Sequence, residues 1–77
     1  MKDIVDEIID DLLRYGIITQ TNPLSFRINQ HEFVVNNARQ SEALQRQFQG
    51  KYVKTPGDIY LYSKKGGHTS STVVRER

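Results

Sequence analysis

The sequence predicts an α+β fold, a two-layer sandwich of order αββαββ in which a four-stranded antiparallel sheet carries two helices on one face, formed by a single domain over residues 1–77. Three observations predict it. Apolar and polar residues alternate over residues 24–35, the period of half-buried strands. Residues 3–15 and 41–51 repeat apolar residues at helical spacing. Two further strand-like runs flank Gly66-Gly67. Hairpins and one-sided helices pack most economically as two layers.

The first predicted helix spans residues 3–15. Asp3 is placed to cap its start, and Gly16 supplies the left-handed residue that ends it. Ile17 and Ile18 are expected to be buried beside the helix end. The apolar residues form a stripe wider than a coiled-coil seam, so the helix is expected to lie across a sheet. The stripe consists of Ile4, Val5, Ile8, Ile9, Leu12 and Leu13.

The first hairpin, after the Asn-Pro turn signal at residues 22–23, has two registers that the sequence leaves open. A turn centred on residues 30–31 pairs Phe26 with Val35. A turn centred on residues 29–30 pairs Phe26 with Phe33 instead. Both registers keep the apolar residues on one face, so alternation alone does not choose between them.

The second helix follows a turn signal at Asn36-Asn37, because asparagine tolerates positive φ. Ser41 is predicted to cap this helix, which runs to about Lys51. Its apolar row is Leu44, Phe48 and Tyr52, and its polar back is Gln45, Arg46, Gln47 and Gln49. The predicted strands Asp58–Ser63 and His68–Arg75 come next. Centring their turn on the glycine pair places Ile59 opposite Val74, Leu61 opposite Thr72, Tyr62 opposite Ser71 and Asp58 opposite Arg75.

Composition limits the classes of protein. The chain has 77 residues, no cysteine and a net charge of +2. One lysine against five acidic residues gives residues 1–13 a charge of −4, so the remainder carries +6. The basic remainder could attract nucleic acid or the acidic helix of a second copy. The apolar runs are far too short for a membrane span, and the acidic start lacks the pattern of a signal peptide. No membrane insertion and no disulfide are therefore predicted.

Residues 33–62 resemble a segment that recurs in uncharacterised proteins of Bacteroidota. There a hairpin strand is followed by a short helix, Pro-Gly-Asp and an aromatic-rich hairpin. The matching positions are Val35, Asn36, Arg39, Gln40, Phe48, Lys51, Tyr52, Pro56, Gly57 and Asp58, with Asn37 where glycine is usual. The resemblance implies a small α+β accessory domain of envelope or membrane-anchored proteins and hence an extracytoplasmic placement. It implies no activity.

No catalytic, cofactor or metal site is predicted. His31 and His68 fall beside predicted turns without a second ligand at metal or catalytic spacing. The serines lack a neighbouring base. Carboxylates on a straight helix do not converge on a cation, so the acidic residues are expected to form a solvated face. These acids are Asp3, Glu7, Asp10 and Asp11.

The one candidate binding set combines aromatic and basic residues. If Ile59 and Leu61 face the core, Tyr60 and Tyr62 stand on the open face of the sheet. Lys64, Lys65 and Arg27 are then expected nearby, giving a surface for bases, sugars or a protein partner. The opposite parity would place both tyrosines in the core, and the alternation does not exclude it.

Two functions follow from these residues. The first is a non-enzymatic interaction module that docks a protein partner, or a second copy of itself, through an exposed sheet face or edge. The second is a nucleic-acid-binding domain that uses a basic, tyrosine-bearing sheet surface. An enzyme ranks below both, because no residue set supplies acid, base and nucleophile together.

Overall fold

Seven helices and strands make up the described part of the chain. The computed structural model describes residues 3–75, so residues 1–2 and 76–77 of the predicted domain lie outside it. In chain order the elements are α1 (Ile4–Arg14), β1 (Leu24–Ile28), β2 (Phe33–Val35), β3 (Ala38–Arg39), α2 (Glu42–Tyr52), β4 (Ile59–Lys65) and β5 (His68–Val74). The predicted α+β class is confirmed.

The sheet is antiparallel and has five strands in the order β3-β2-β1-β4-β5, so the prediction of four strands is wrong. The missed strand is β3. Asn36 and Asn37 have φ of 50° and 66°. Two successive residues with positive φ are what a tight type I′ hairpin turn requires. The chain therefore folds straight back along β2, and Val35 pairs with Ala38.

The structure decides the register of both larger hairpins. Phe26 lies opposite Val35, as a β1–β2 turn centred on residues 30–31 requires. The side chain of Asn29 shapes this turn, because its Oδ1 accepts hydrogen bonds from two backbone N–H groups further along the loop. The β4–β5 hairpin has the predicted register, with the pairs Ile59–Val74, Leu61–Thr72 and Tyr62–Ser71.

Both helices pack on the same face of the sheet. Their buried side chains join those of β1, β2 and β4 in one core. The ring of Phe48 in α2 stacks on that of Phe33 in β2, with centroids 4.5 Å apart. The core residues are Val5, Ile8, Leu12, Ile18, Leu24, Phe26, Ile28, Phe33, Val35, Phe48, Tyr52 and Tyr60.

The helices begin and end where the sequence predicts, within a residue. Asp3 accepts a hydrogen bond from the N–H of Asp6 at 3.0 Å, and Ser41 accepts one from Leu44 at 3.3 Å. Gly16, with φ of 73°, follows the end of α1. These local signals work because capping depends on a few neighbouring backbone groups and on little else.

A buried carboxylate joins the two helices, and the predicted solvated acidic face is wrong at this position. Asp11 is only 4% exposed. Its Oδ2 accepts hydrogen bonds from the hydroxyl of Tyr52 at 2.5 Å and from Nζ of Lys51 at 2.6 Å. Burial opposes ionisation of Asp11, but these bonds and the charges of Lys51 and Arg14 outweigh it and lower the pKa of the carboxyl. Asp11 is therefore an ionised cross-link between α1 and α2.

The predicted polar back of α2 also has structural contacts. Nε2 of Gln49 donates hydrogen bonds to the carbonyls of Asn29 and Gln30 at 2.8 and 2.9 Å. Gln45 donates to the carbonyl of His31 at 3.2 Å. These glutamines hold the β1–β2 loop against α2, since loop carbonyls outside a ladder need such donors.

Candidate interaction site

The predicted aromatic pair does not stand on the open face of the sheet. Tyr60 is fully buried, and its hydroxyl donates a hydrogen bond to the carbonyl of Tyr52 at 2.8 Å. Tyr62 is half-buried and stacks on Phe26, with ring centroids 5.3 Å apart. Leu61 is 37% exposed on the other face. Of the two parities that the sequence left open, the structure has the one that places both tyrosines on the helix-bearing face.

Pairing between β4 and β1 sets this parity. Tyr62 lies opposite Phe26, and Tyr60 lies opposite Ile28. Paired residues in an antiparallel sheet share a face, so the tyrosines share the face that Phe26 and Ile28 turn toward the helices. Burial raises the pKa of the Tyr60 hydroxyl, an effect that the charge of Asp58 reinforces and that Arg75 opposes. Tyr60 is thus a core residue with one satisfied polar group.

The five predicted binding residues are divided between the two faces. Lys64 lies opposite Leu24 and so belongs to the helix-bearing face with the tyrosines. Arg27 lies opposite Leu61 on the open face. Lys65 is four residues after Leu61 in the same strand, so it lies on the open face too. Lys64 and Lys65 still line one shallow hollow at the end of the sheet, together with Ser25 and Ser63.

The open face is basic and aliphatic. No acidic residue occurs in any of the strands of the described chain, whereas Arg27, Arg39 and Lys65 all lie on the open face. Nε of Arg27 lies 3.0 Å from Oε1 of Glu32, just before β2. Within residues 3–75, the strands place no Phe or Tyr on this side, and their one ring there is the imidazole of His68, opposite Lys65. The tyrosine rings expected for stacking bases therefore do not lie beside these basic residues.

Strand β5 is the most exposed element of the sheet. All seven of its residues are exposed, including those on the helix-bearing side. Val73 and Val74 are 41% and 45% exposed. An antiparallel strand usually buries one face against the core, so β5 is unusual in burying neither.

The free edge of β5 presents backbone hydrogen-bonding groups, and hydrogen bonds elsewhere in the sheet fix which ones. The N–H of Asn36 donates to the carbonyl of Ser25 at 2.8 Å, and the N–H of Asn29 to that of Glu32 at 3.1 Å. Odd-numbered residues of β1 therefore bond β2, and even-numbered ones bond β4.

The same alternation continues across β4. Its even-numbered residues bond β1, so Leu61, Ser63 and Lys65 bond β5 through Thr72, Ser70 and His68. This agrees with a two-residue turn at Gly66-Gly67, which closes on a hydrogen-bonded pair. The N–H and C=O groups that point away from the sheet, into solvent, belong to Thr69, Ser71 and Val73.

The turn of this hairpin is anchored to the rest of the domain. The side chain of Asn22 accepts a hydrogen bond from the N–H of Gly66 at 3.0 Å and donates one to its carbonyl at 3.1 Å. Gly66 has φ of 59°, as the first central residue of a type II′ turn requires. The β5 edge is thereby held in an extended, preorganised position.

The opposite edge of the sheet is different. Strand β3 has only two residues, Ala38 and Arg39, one of them charged. Short strands and charged side chains are the devices by which proteins protect sheet edges. Strand β5 has neither protection: it is seven residues long, and its sequence HTSSTVV lacks lysine, arginine, acidic residues and proline.

The remaining candidate residues are the two histidines and the acidic side chains. His31 and His68 are exposed. No group of three or more His, Cys, Asp or Glu side chains is placed to hold a metal within residues 3–75. Neither helix of that range is long and apolar enough to cross a bilayer.

Comparison with protein-family models, curated proteins and solved structures found no match for this chain. The resemblance to a Bacteroidota accessory domain stays a prediction.

The residues missed by sequence reasoning are those of the β5 edge. The signal was present as an uncharged, β-branched run between Lys65 and Arg75. Alternation alone did not show that this run is an edge, because strand order depends on contacts between distant segments.

Proposed function

We propose that this protein is a non-enzymatic interaction module that docks a protein partner by adding a strand to the free edge of β5. The observation that carries the proposal is the seven-residue edge strand, which has no Lys, Arg, Asp or Glu and all of whose residues are exposed. Strand addition uses backbone hydrogen bonds for affinity and alternate side chains for selectivity. The outward groups of Thr69, Ser71 and Val73 supply the first of these.

An extended peptide tests this proposal directly. The ¹⁵N-labelled chain is titrated with a capped peptide of alternating threonine and valine, carrying one lysine at each end for solubility. Amide shifts at Thr69, Ser71 and Val73 are expected to exceed those at Ser70 and Thr72, because only the first set faces the added strand. Absence of any shift at millimolar peptide, or shifts concentrated around Leu61, would contradict edge docking.

A single position separates edge docking from other binding. Ser71→Pro removes an outward N–H and leaves the β4–β5 ladder intact, since proline is tolerated on edge strands at such positions. It is expected to abolish the peptide-induced shifts. Ser71→Thr keeps the N–H and the β-propensity, so it is the matched control and is expected to bind as the parent chain does.

The second candidate function is nucleic-acid binding on the open face, and the observation in its favour is the basic set Arg27, Arg39 and Lys65 without acidic residues in the strands. Such binding would rest on phosphate contacts, because the tyrosines lie on the other face. Titration with a mixed-sequence single-stranded DNA oligonucleotide tests it. Micromolar binding that weakens steeply with salt and falls in Arg27→Ala supports this function, and salt-independent or absent binding opposes it.

A further inference from the structure

The β5 edge fits one strand particularly well, namely β5 of a second copy. We infer that two chains pair β5 with β5′ antiparallel about a two-fold axis at Ser71, forming one continuous ten-stranded sheet. The inference rests on the proposed strand-docking function and names its partner.

The register follows from which β5 residues direct their N–H and C=O groups to the free edge, namely Thr69, Ser71 and Val73. An antiparallel pair centred on Ser71 joins Ser71 to its own copy and Thr69 to Val73 of the other chain. All of these residues direct N–H and C=O to the free edge, so each forms a hydrogen-bonded pair. Shifting the register by one residue would bring outward groups opposite inward ones and break the ladder. Shifting it by two would keep outward groups facing each other but leave two of the seven β5 residues of each chain unpaired, so the centred register pairs the most residues.

The side chains of β5 are compatible with their own copies. The centred register pairs Ser70 with Thr72 on the open side and Thr69 with Val73 on the helix side. Threonine, serine and valine pairs stabilise antiparallel strands, and like charges directly opposite would destabilise them. Strand β5 holds no Lys, Arg, Asp or Glu to create such a clash.

The assembly closes after two copies. A two-fold axis uses the same edge on both chains, so pairing consumes both β5 edges. The edges left free are the two-residue β3 strands with Arg39. Docking of the acidic α1 of one copy on the basic open face of the next would behave differently, because these surfaces lie on opposite sides of the domain. That contact is head-to-tail and would grow without closing.

The exposed side chain of Val73 adds apolar area on the helix-bearing side of the pair. Helix α2 lies over β2, where Phe48 stacks on Phe33. Asp11 of α1 faces α2 through Tyr52. Leu13 is two residues on, about 200° around the helix, so it points away from α2, and it is 40% exposed. Val73 lies opposite the buried Tyr60 and is 41% exposed.

The size of the contact sets the expected affinity. Seven paired residues at about 3.3 Å each form a strip roughly 23 Å long and about 10 Å deep. That strip buries on the order of 500 Å² in total, which is below the roughly 1,200 Å² of stable interfaces. A dimer in rapid exchange, seen between micromolar and millimolar chain, is therefore expected.

Sedimentation over that concentration range tests the pairing. The parent chain and Ser71→Thr are expected to move from monomer to dimer and to stop there. Ser71→Pro is expected to raise the dimer dissociation constant at least about tenfold, because it removes two backbone hydrogen bonds from the centre of the pair. Salt-sensitive growth beyond dimer would overturn the inference in favour of head-to-tail stacking.

A single cysteine tests the register, since the chain has no native cysteine. In the centred register the two Ser71 Cα atoms lie about 5.5 Å apart, within disulfide range. Ser71→Cys is therefore expected to form a covalent dimer under oxidised glutathione. Ser70→Cys is the control, because its symmetry copy lies beyond about 7 Å. Equal cross-linking of both variants would overturn the register.

The results separate self-pairing from edge docking in general. A chain that stays monomeric at millimolar concentration but still binds the threonine–valine peptide would overturn self-pairing and leave the proposed function standing. If the chain neither binds the peptide nor self-associates, self-pairing and the proposed function are both overturned.

Discussion

Asp11→Asn is the sharpest test of how the two helices are joined. The substitution keeps the shape of the side chain but removes the charge that Lys51 and Tyr52 contact at 2.6 and 2.5 Å. A hydrogen bond to a charged group contributes about 1.5–3 kcal/mol to stability. The Lys51 side chain is 54% exposed, so solvent screening reduces its share to at most about 1 kcal/mol.

The expected loss is therefore about 1.5–3 kcal/mol, dominated by the buried Tyr52 bond. A domain of 77 residues has a free energy of unfolding of about 4–12 kcal/mol, so the loss is a large fraction of the total. Urea unfolding at pH 7, followed by circular dichroism, measures it. Asp6→Asn is the matched control, because Asp6 is an exposed acid on the same helix, and is expected to cost less than about 1 kcal/mol.

The pH dependence supplies a second readout. The folded-state pKa of Asp11 lies below its ordinary value of 3.8. Its contribution to stability is therefore complete above pH 3.8 and is lost as the pH falls through the folded-state pKa. The difference in free energy of unfolding between the parent chain and Asp11→Asn should be large at pH 7 and should disappear in strong acid. If Asp11→Asn costs no more than Asp6→Asn at pH 7, the cross-link does not stabilise the fold.

Three further outcomes are expected. Gln49→Ala should lower the free energy of unfolding by about 1–2 kcal/mol and speed amide exchange in the β1–β2 loop, because two loop carbonyls lose their donor. Gln47→Ala is the control and should have neither effect, because the hydrogen bond of Gln47 is exposed. Tyr60→Phe should lower the free energy of unfolding in urea by about 1–3 kcal/mol, and Leu61→Ala by less than about 1 kcal/mol. A larger loss for Leu61→Ala would contradict the observed parity of β4. Because burial raises the pKa of Tyr52 and Tyr60 above 10.0, urea midpoints should fall as the pH rises past 10, and Tyr52→Phe should flatten that fall.

Local signals in the sequence predict most of the elements. The caps at Asp3 and Ser41 and the ends at Gly16 and Gly66-Gly67 depend on a few adjacent backbone groups, so the residue types suffice. The β4–β5 register followed from the same kind of evidence, because a two-residue turn fixes every pair along the hairpin. Only β3 escaped, since two residues are too short for alternation to show.

The candidate site was harder to predict for a different reason. Alternation in β4 gives two faces but does not say which one meets the helices, and both Ile59/Leu61 and Tyr60/Tyr62 are suitable core residues. Pairing with Phe26, 36 positions earlier in the chain, made that choice. Asp11 likewise reads as one solvated acid among several until Tyr52 and Lys51 are seen to approach it.

The amino-acid sequence by itself determined where the two helices begin and end, and the four longer strands to within about two residues, because those depend on neighbours within a few residues. The tertiary structure alone decided strand order, and with it which strand became an edge and which tyrosines were buried. The physical reason is that both sides of an amphipathic strand, and either edge of a sheet, are locally equivalent. Only long-range packing and backbone pairing make them different, and here they leave β5 with an open edge.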